Sequence, residues 1–151
     1  MDHEWMAQLT GQTPRAPDQL HPLALAYIGD TVFDLYVRTA LIDGHGIKAG
    51  ALHAMAKRRV CAAAQARAAE QVLPLLTEAE CSVFNRARNA QPHTVPKNAQ
   101  PGDYALATAL EAVLGYLYLL GDEQSLRRVL SAVDNAQKSI EDKPRPRPYK
   151  G

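Results

Sequence analysis

The segment from Pro22 to Gly44 constrains the fold more than any other part of the chain. Apolar residues recur along it so densely that a helix formed here is apolar around much of its circumference, and such a helix is mostly buried. Proline suits the first turn of a helix, and Gly44 and Gly46 mark its end. Two acidic residues inside this segment, Asp30 and Asp34, are therefore unusual.

The rest of the chain predicts further helices. Alanine, the strongest helix former, occupies 25 of the 151 positions, and β-branched residues are not dominant. We expect two helices within residues 48–72 that meet near residues 57–59, and single helices over 77–89, 103–120 and 123–139. No stretch predicts a strand, so the expected fold is all-α with five to seven helices.

The length of 151 residues fits one domain. Residues 1–20 contain two prolines and a glycine without sustained periodicity, which predicts an irregular N-terminal arm. Residues 21–139 form the predicted folded domain. Residues 140–151 are rich in proline and charge, and we expect them to be a disordered tail.

The charge of the chain is unevenly distributed. The whole chain has a net charge of +1, whereas residues 48–97 contain eight Lys and Arg against three Asp and Glu. This basic segment could follow a phosphate backbone, or it could be a solvated face with local ion-pair partners. The scarcity of acids near Arg86 and Arg88 favours the first interpretation. The candidates for phosphate contacts are Lys57, Arg58, Arg59, Arg67, Arg86, Arg88, Asn89, Lys97 and Asn98.

Cysteine content and the N-terminus indicate a soluble cytoplasmic protein. Cys61 and Cys81 have neither CxxC spacing nor clustered histidines, so we expect no zinc site and no disulfide framework. The N-terminus lacks the apolar stretch of a signal peptide. The longest apolar run, residues 112–120, is too short to span a bilayer.

Two acidic residues lie beside glycines in apolar helices. Asp30 directly follows Gly29, and Glu111 precedes Gly115 by about one turn. A glycine inside a helix often marks the close approach of another backbone, so helices crossing at these glycines would bring both carboxylates together. Paired carboxylates suit Mg²⁺ or Mn²⁺ and the activation of water toward a phosphodiester. Alternatively, each acid bonds an arginine or caps a helix at the surface.

Four ordered stretches of the chain, spread over about residues 20–138, resemble the ribonuclease III family. The first is similar to the signature helix of that family, and the other three are similar to its Mini-III branch in particular. Their order and spacing make the resemblance specific. The stretches are LAYIGDTVFDLYVR (25–38), RARNA (86–90), TVPKN (94–98) and ATALEAVLGYLYL (107–119).

The resemblance implies a magnesium-dependent endoribonuclease that acts on double-stranded RNA as an all-α homodimer, with Mn²⁺ as a substitute metal. By this resemblance Asp30 is the catalytic aspartate and Glu111 the metal-binding glutamate. Members of the Mini-III branch mature the ends of the 23S ribosomal RNA precursor in bacteria. A ribosomal protein or the pre-50S particle is therefore a further expected partner.

The chain departs from longer members of the family at two positions. Ala26 and Thr108 stand where those members carry acidic residues, which leaves the number of metal ions per centre open. Longer members also carry a separate double-stranded-RNA-binding domain, which we do not expect here. RNA would then be held by a basic rim of the catalytic dimer. The expected rim residues are Lys57, Arg58, Arg86, Arg88, Asn89, Lys97 and Asn98.

The resulting hypothesis is a hydrolytic mechanism. With magnesium held by Asp30 and Glu111, water attacks the phosphodiester in line and the 3′-oxygen departs, leaving 5′-phosphate and 3′-hydroxyl ends. One rival interpretation is a non-catalytic double-stranded-RNA-binding or ribosome-assembly module of the same fold. Another is a helical interaction protein whose acids are surface groups. The presence of both acids favours the enzyme.

Overall fold

The computed structural model describes residues 3–12, 15–44, 48–90, 97 and 100–141. Within these ranges the chain forms seven α-helices, two short 3-10 helices and no strand, which confirms the all-α prediction. The α-helices are α1 (Glu4–Leu9), α2 (Pro22–Gly44), α3 (Ala49–Val60), α4 (Ala62–Val72), α5 (Glu78–Asn89), α6 (Pro101–Leu120) and α7 (Glu123–Glu141); the 3-10 helices are Pro17–Gln19 and Leu73–Leu75.

Helix α6 is the centre of the fold. It packs against α2, α4, α5 and α7, and Leu110 and Leu114 on it are completely buried. Phe33 of α2 and Phe84 of α5 are the largest fully buried side chains of the same core. By length and composition α6 is the one helix in the described ranges that could cross a membrane, but 56% of that stretch is buried inside the protein. The burial agrees with a core helix.

Helices α2 and α6 cross with their backbones in contact at two glycines. A Cβ atom added to Gly29 would lie 1.7 Å from the carbonyl oxygen of Glu111, and one added to Gly115 would lie 2.0 Å from the carbonyl oxygen of Leu25. The prediction that these glycines mark a helix crossing is confirmed. Because Asp30 follows Gly29 and Glu111 contacts it, the crossing fixes the two acids relative to each other.

Helix α2 has one buried face and one exposed apolar face. Leu25 and Val37 are fully buried in the core, whereas Tyr27 is 83% exposed and Ile42 is 62% exposed. The prediction of a mostly buried helix is therefore correct for one face of the single chain only. The physical reason is that its main neighbours within the chain, α3, α5 and α6, cover only part of its circumference.

The ends of two helices follow the sequence signals. Thr77 caps α5 by accepting a hydrogen bond from the backbone N–H of Glu80, whose side chain accepts one from the backbone N–H of Thr77 in return. Gly121 ends α6 in the left-handed conformation, with φ of 71°. Both ends agree with the sequence analysis.

The N-terminal arm differs from the expected irregular segment. Residues Glu4–Leu9 form α1, a helix of six residues with no buried side chain. Six residues are too few to show helical periodicity in a sequence, which explains why the helix was not predicted. Residues 142–151 of the predicted tail lie outside the described residues, and the domain limits 21–139 remain a prediction.

The break between α3 and α4 lies at Cys61 and not near residues 57–59. The backbone of Cys61 is extended, with ψ of 152°, although neither glycine nor proline marks the position. Cys61 and Cys81 are both free thiols.

Arg59 joins α3 to α7. Its guanidinium pairs with Asp134 at 2.7 Å and donates to Oε1 of Gln137 at 3.0 Å, and it lies 6.0 Å from the ring centroid of Tyr36. Only 14% of the Arg59 side chain is exposed. The prediction that placed Arg59 among the phosphate contacts is wrong, because its charge is already held by a carboxylate inside the fold.

Candidate active site

A pocket of about 520 Å³ opens where α2, α4 and α6 meet. Its wall comprises Asp30 of α2, Cys61 and Gln65 beside the junction of α3 and α4, and Glu111 of α6. The two carboxylates singled out in the sequence therefore share one pocket. Their predicted convergence at the crossing of two helices is confirmed.

Burial and a neighbouring negative charge disfavour the charged form of each acid. Burial, together with the charge of Asp30, raises the pKa of Glu111 from 4.5 to about 8, against an opposing hydrogen bond from Gln65. Burial and the neighbouring Asp34 also raise the pKa of Asp30, whose side chain is nevertheless the more exposed of the pair. Two carboxylates with raised pKa values in one pocket are typical of functional sites.

Other acids of the protein show how a structural carboxylate is stabilised. Glu80 is 2% exposed, caps its own helix and pairs with Arg128. Asp34 pairs with Arg38 at 3.0 Å. None of the ion pairs within the described ranges includes Asp30 or Glu111. The alternative of surface pairing or helix capping thus fits Glu80 and Asp34 and does not fit the two acids of the pocket.

The donor set of the pocket fits a hard divalent cation. Mg²⁺ is commonly held by one or two carboxylates together with water and phosphate oxygens, and Asp30 and Glu111 supply two. A cation would offset the repulsion that raises the pKa of Glu111. Considering only the part of the chain that the structure describes, no group of three or more His, Cys, Asp or Glu could hold a metal. Further ligands would therefore come from other oxygens.

We expect Glu111→Gln to stabilise the metal-free protein at alkaline pH. Glu111 has a pKa of about 8 in the folded chain and an ordinary value of 4.5, so between these values the folded state holds a proton that the unfolded state has lost. The free energy of unfolding therefore decreases as pH rises through this window. The variant lacks this decrease, and by pH 9 it should exceed wild type by on the order of 2 to 4 kcal/mol.

Urea unfolding in EDTA between pH 5 and pH 9 measures this difference. Asp34→Asn is the matched control, because Asp34 already has a cationic partner in Arg38. Its stability should follow the pH dependence of wild type. Parallel curves for wild type and Glu111→Gln would show that Glu111 titrates normally.

Three polar side chains of the pocket carry no signal in the sequence. Gln65 is 2% exposed, and its Nε2 donates to the carbonyl oxygen of Val60 at 2.8 Å. Asp103 and Tyr104, in the first turn of α6, also line the pocket. A single glutamine in an alanine-rich helix looks like any solvated polar residue, and only helix packing reveals its burial.

The predicted RNA-binding residues lie outside the pocket wall. They are exposed on the last turns of α3 and α5 and at residue 97, and none of the ion pairs within the described ranges includes them. The positive charges of the lysines and arginines among them are therefore available to an anion. Asn98 lies outside the described residues. The exposed set comprises Lys57, Arg58, Arg86, Arg88, Asn89 and Lys97.

Comparison with known families identifies the class of protein. Residues 23–122 match the Ribonuclease III domain family. Together with the all-α fold and the carboxylate pocket, this match defines an endoribonuclease of the ribonuclease III type.

Individual relatives narrow the class further. The chain is 44% identical over 116 residues to the Mini-ribonuclease 3 of Symbiobacterium thermophilum, covering 77% of this chain and 89% of the relative. It is 40% identical to the Mini-ribonuclease 3 of Staphylococcus aureus, covering 76% and 87%. A crystal structure of a Fusobacterium nucleatum protein matches with a TM-score of 0.71 and 28% identity, covering 79% and 95%. The chain belongs to the Mini-ribonuclease 3 branch of the ribonuclease III family, as its motifs predicted.

Proposed function

We propose that this protein hydrolyses double-stranded RNA with magnesium held by Asp30 and Glu111, leaving 5′-phosphate and 3′-hydroxyl ends. The observation that carries the proposal is the placement of these two carboxylates in one pocket, where their charges repel and no Lys or Arg of the described ranges pairs with them. Mn²⁺ would substitute for magnesium, since both ions take hard oxygen ligands.

The two acids have different roles in this proposal. When bound, magnesium supplies Lewis-acid activation for the attack of water on the phosphodiester. Glu111 is partly buried and its backbone is held against Gly29, so it provides a rigid ligand. Asp30 is exposed at the pocket, so it would hold the cation on the side that is open to the RNA.

Incubation of the purified protein with duplex RNA, with magnesium or with EDTA, tests the proposal. Cleavage only with magnesium, and products that carry 5′-phosphates, would support it. RNA binding without cleavage at any magnesium concentration would favour the non-catalytic double-stranded-RNA-binding or ribosome-assembly module.

We further infer that the natural substrate is the precursor of 23S ribosomal RNA in the cytoplasm, presented with a ribosomal protein or within the pre-50S particle. The similarity to Mini-ribonuclease 3 proteins supports this inference. Mapping the 5′ and 3′ ends of precursor 23S RNA after incubation with the protein tests it. Cuts scattered along other duplex regions would argue against a dedicated maturation role.

The active form in this proposal is a homodimer. Three large apolar side chains of α2 remain exposed, and their spacing of eight and seven residues places them on one side of the helix. An exposed apolar stripe of this kind is typical of an interface. Sedimentation velocity at micromolar concentration tests the assembly. The side chains are Tyr27, Leu35 and Ile42, which are 83%, 50% and 62% exposed.

Arg88→Ala should weaken duplex-RNA binding and reduce its salt dependence. Arg88 is exposed on α5, and loss of one phosphate contact lowers the slope of log K against log salt concentration by about one unit. Arg127→Ala is the control, because Arg127 is an exposed arginine of α7 that pairs with Glu123 at 2.6 Å. Fluorescence anisotropy at several salt concentrations measures both slopes. An unchanged slope for Arg88→Ala would remove Arg88 from the RNA contacts.

A further inference from the structure

We infer that Gln65 is a positioning residue of this centre, whose amide nitrogen holds the Glu111 carboxylate in the orientation that receives the cation. The inference rests on the proposed function, because it concerns the same pocket. Gln65 belongs to α4 and Glu111 to α6, and both side chains line the pocket. The two helices pack directly against each other.

The orientation of the Gln65 amide is determined by its surroundings. Its Nε2 donates to the carbonyl oxygen of Val60 at 2.8 Å. Because a carbonyl oxygen can only accept, the nitrogen has to face Val60 and the amide cannot be flipped. The second N–H of the same nitrogen remains available, and a hydrogen bond from Gln65 lowers the pKa of Glu111 against the effects of burial and repulsion. We therefore assign this N–H to the Glu111 carboxylate, so that the amide would join it to the carbonyl of Val60, which lines the same pocket.

Stability alone does not account for a glutamine at this position. Oε1 of Gln65 is buried and has no hydrogen-bond partner among the described residues, which disfavours folding. Gln137 of α7 provides the contrast, since it is similarly buried at 5% exposure. Its Nε2 donates to the carbonyl oxygen of Arg59 at 2.9 Å, and its Oε1 accepts from Nε of Arg59 at 3.0 Å. Both the nitrogen and the oxygen of the Gln137 amide are thus hydrogen-bonded, whereas the oxygen of Gln65 is not.

Hydrogen-bond partners of metal ligands affect the site in a measurable way. A group that orients a ligand from behind commonly changes metal affinity by about 10- to 100-fold when it is removed. Methionine has nearly the length of glutamine but no amide. Gln65→Met therefore removes the bond to Glu111 while it preserves packing. It also removes the bond to Val60, which stabilises the fold, and the unpartnered oxygen, which destabilises it, so these two effects offset each other.

The experiment compares wild type, Gln65→Met and Gln137→Met by titration calorimetry with Mn²⁺ and by thermal unfolding in EDTA. Gln65→Met should bind Mn²⁺ about 10- to 100-fold more weakly and keep a midpoint of unfolding near that of wild type. Gln137→Met should show the reverse, with a lower midpoint and unchanged Mn²⁺ affinity. These opposite responses of the two variants would distinguish a positioning role of Gln65 from a structural role of Gln137.

Gln65→Asn keeps the experiment decisive if the methionine variant does not fold. The shorter amide cannot reach both Val60 and Glu111, so Mn²⁺ affinity should again fall. Wild-type Mn²⁺ affinity in a folded Gln65 variant would overturn the inference and leave the proposed function standing. Absence of Mn²⁺ binding by wild type would overturn the metal centre itself, and the inference with it.

Discussion

Asp30→Asn should reduce the cleavage of duplex RNA by roughly three orders of magnitude or more at saturating magnesium. The substitution keeps the size and shape of the side chain and removes one of the two negative charges that would hold the cation. Loss of several kcal/mol of transition-state stabilisation corresponds to a factor of this size. Single-turnover rate constants measure it directly, because they exclude product release.

The same variant should fold as well as wild type. Burial and repulsion from Asp34 raise the pKa of Asp30, so the folded chain disfavours the charge that asparagine removes. Urea unfolding in EDTA checks this expectation. Duplex-RNA binding without magnesium should also persist, because the proposed rim residues are unchanged.

Asp34→Asn is the matched control on the same helix. Asp34 pairs with Arg38 and is not part of the pocket wall, and exposed pairs of this kind contribute only about 0.5 kcal/mol. Its cleavage rate should therefore stay near that of wild type. If Asp30→Asn kept more than about a tenth of wild-type activity, Asp30 would not be a metal ligand of the reaction.

Gly29→Ala should destabilise the protein by about 3 kcal/mol or more. Alanine is normally the better helix residue by about 1 kcal/mol, so the expected sign is the reverse of the usual one. The new methyl group would lie 1.7 Å from the carbonyl oxygen of Glu111, which is backbone and cannot rotate away. Helices α2 and α6 would have to separate, and Asp30 would move away from Glu111. Stability and cleavage should fall together.

Two other glycines serve as controls for this substitution. Gly50 in α3 and Gly102 in α6 have no atom within 4 Å of an added Cβ. Alanine at either position should leave the free energy of unfolding unchanged or raise it by up to about 1 kcal/mol. Urea unfolding of all three variants measures the contrast. Equal stability of Gly29→Ala and Gly102→Ala would contradict the backbone contact.

Local signals predicted most of the helices. Proline at the start of α2, the capping box at Thr77 and the left-handed glycine at 121 act within one turn of chain, so a sequence displays them. Helix α1 was not predicted, and the break at Cys61 was placed two to four residues too early, because neither has such a signal.

The candidate site was predictable in part. Asp30 and Glu111 were identified as candidates because burial of a carboxylate in an apolar helix is costly without a partner or a metal. The nearby glycines indicated a helix crossing. Gln65 and Arg59 were not predictable in the same way. One is a polar residue that packing buries beside Glu111, and the other is a cation that packing places against Asp134.

The sequence by itself determined the helical class, the order of the helices, the two acids and the two glycines, because helix formation and capping depend on neighbouring residues. The tertiary structure alone decided that Gly29 meets the backbone of Glu111 and that α4 places Gln65 in the same pocket. It also decided that Arg59 is held inside the fold while Arg88 is exposed. These outcomes depend on how surfaces from distant parts of the chain fit together, which no local pattern records.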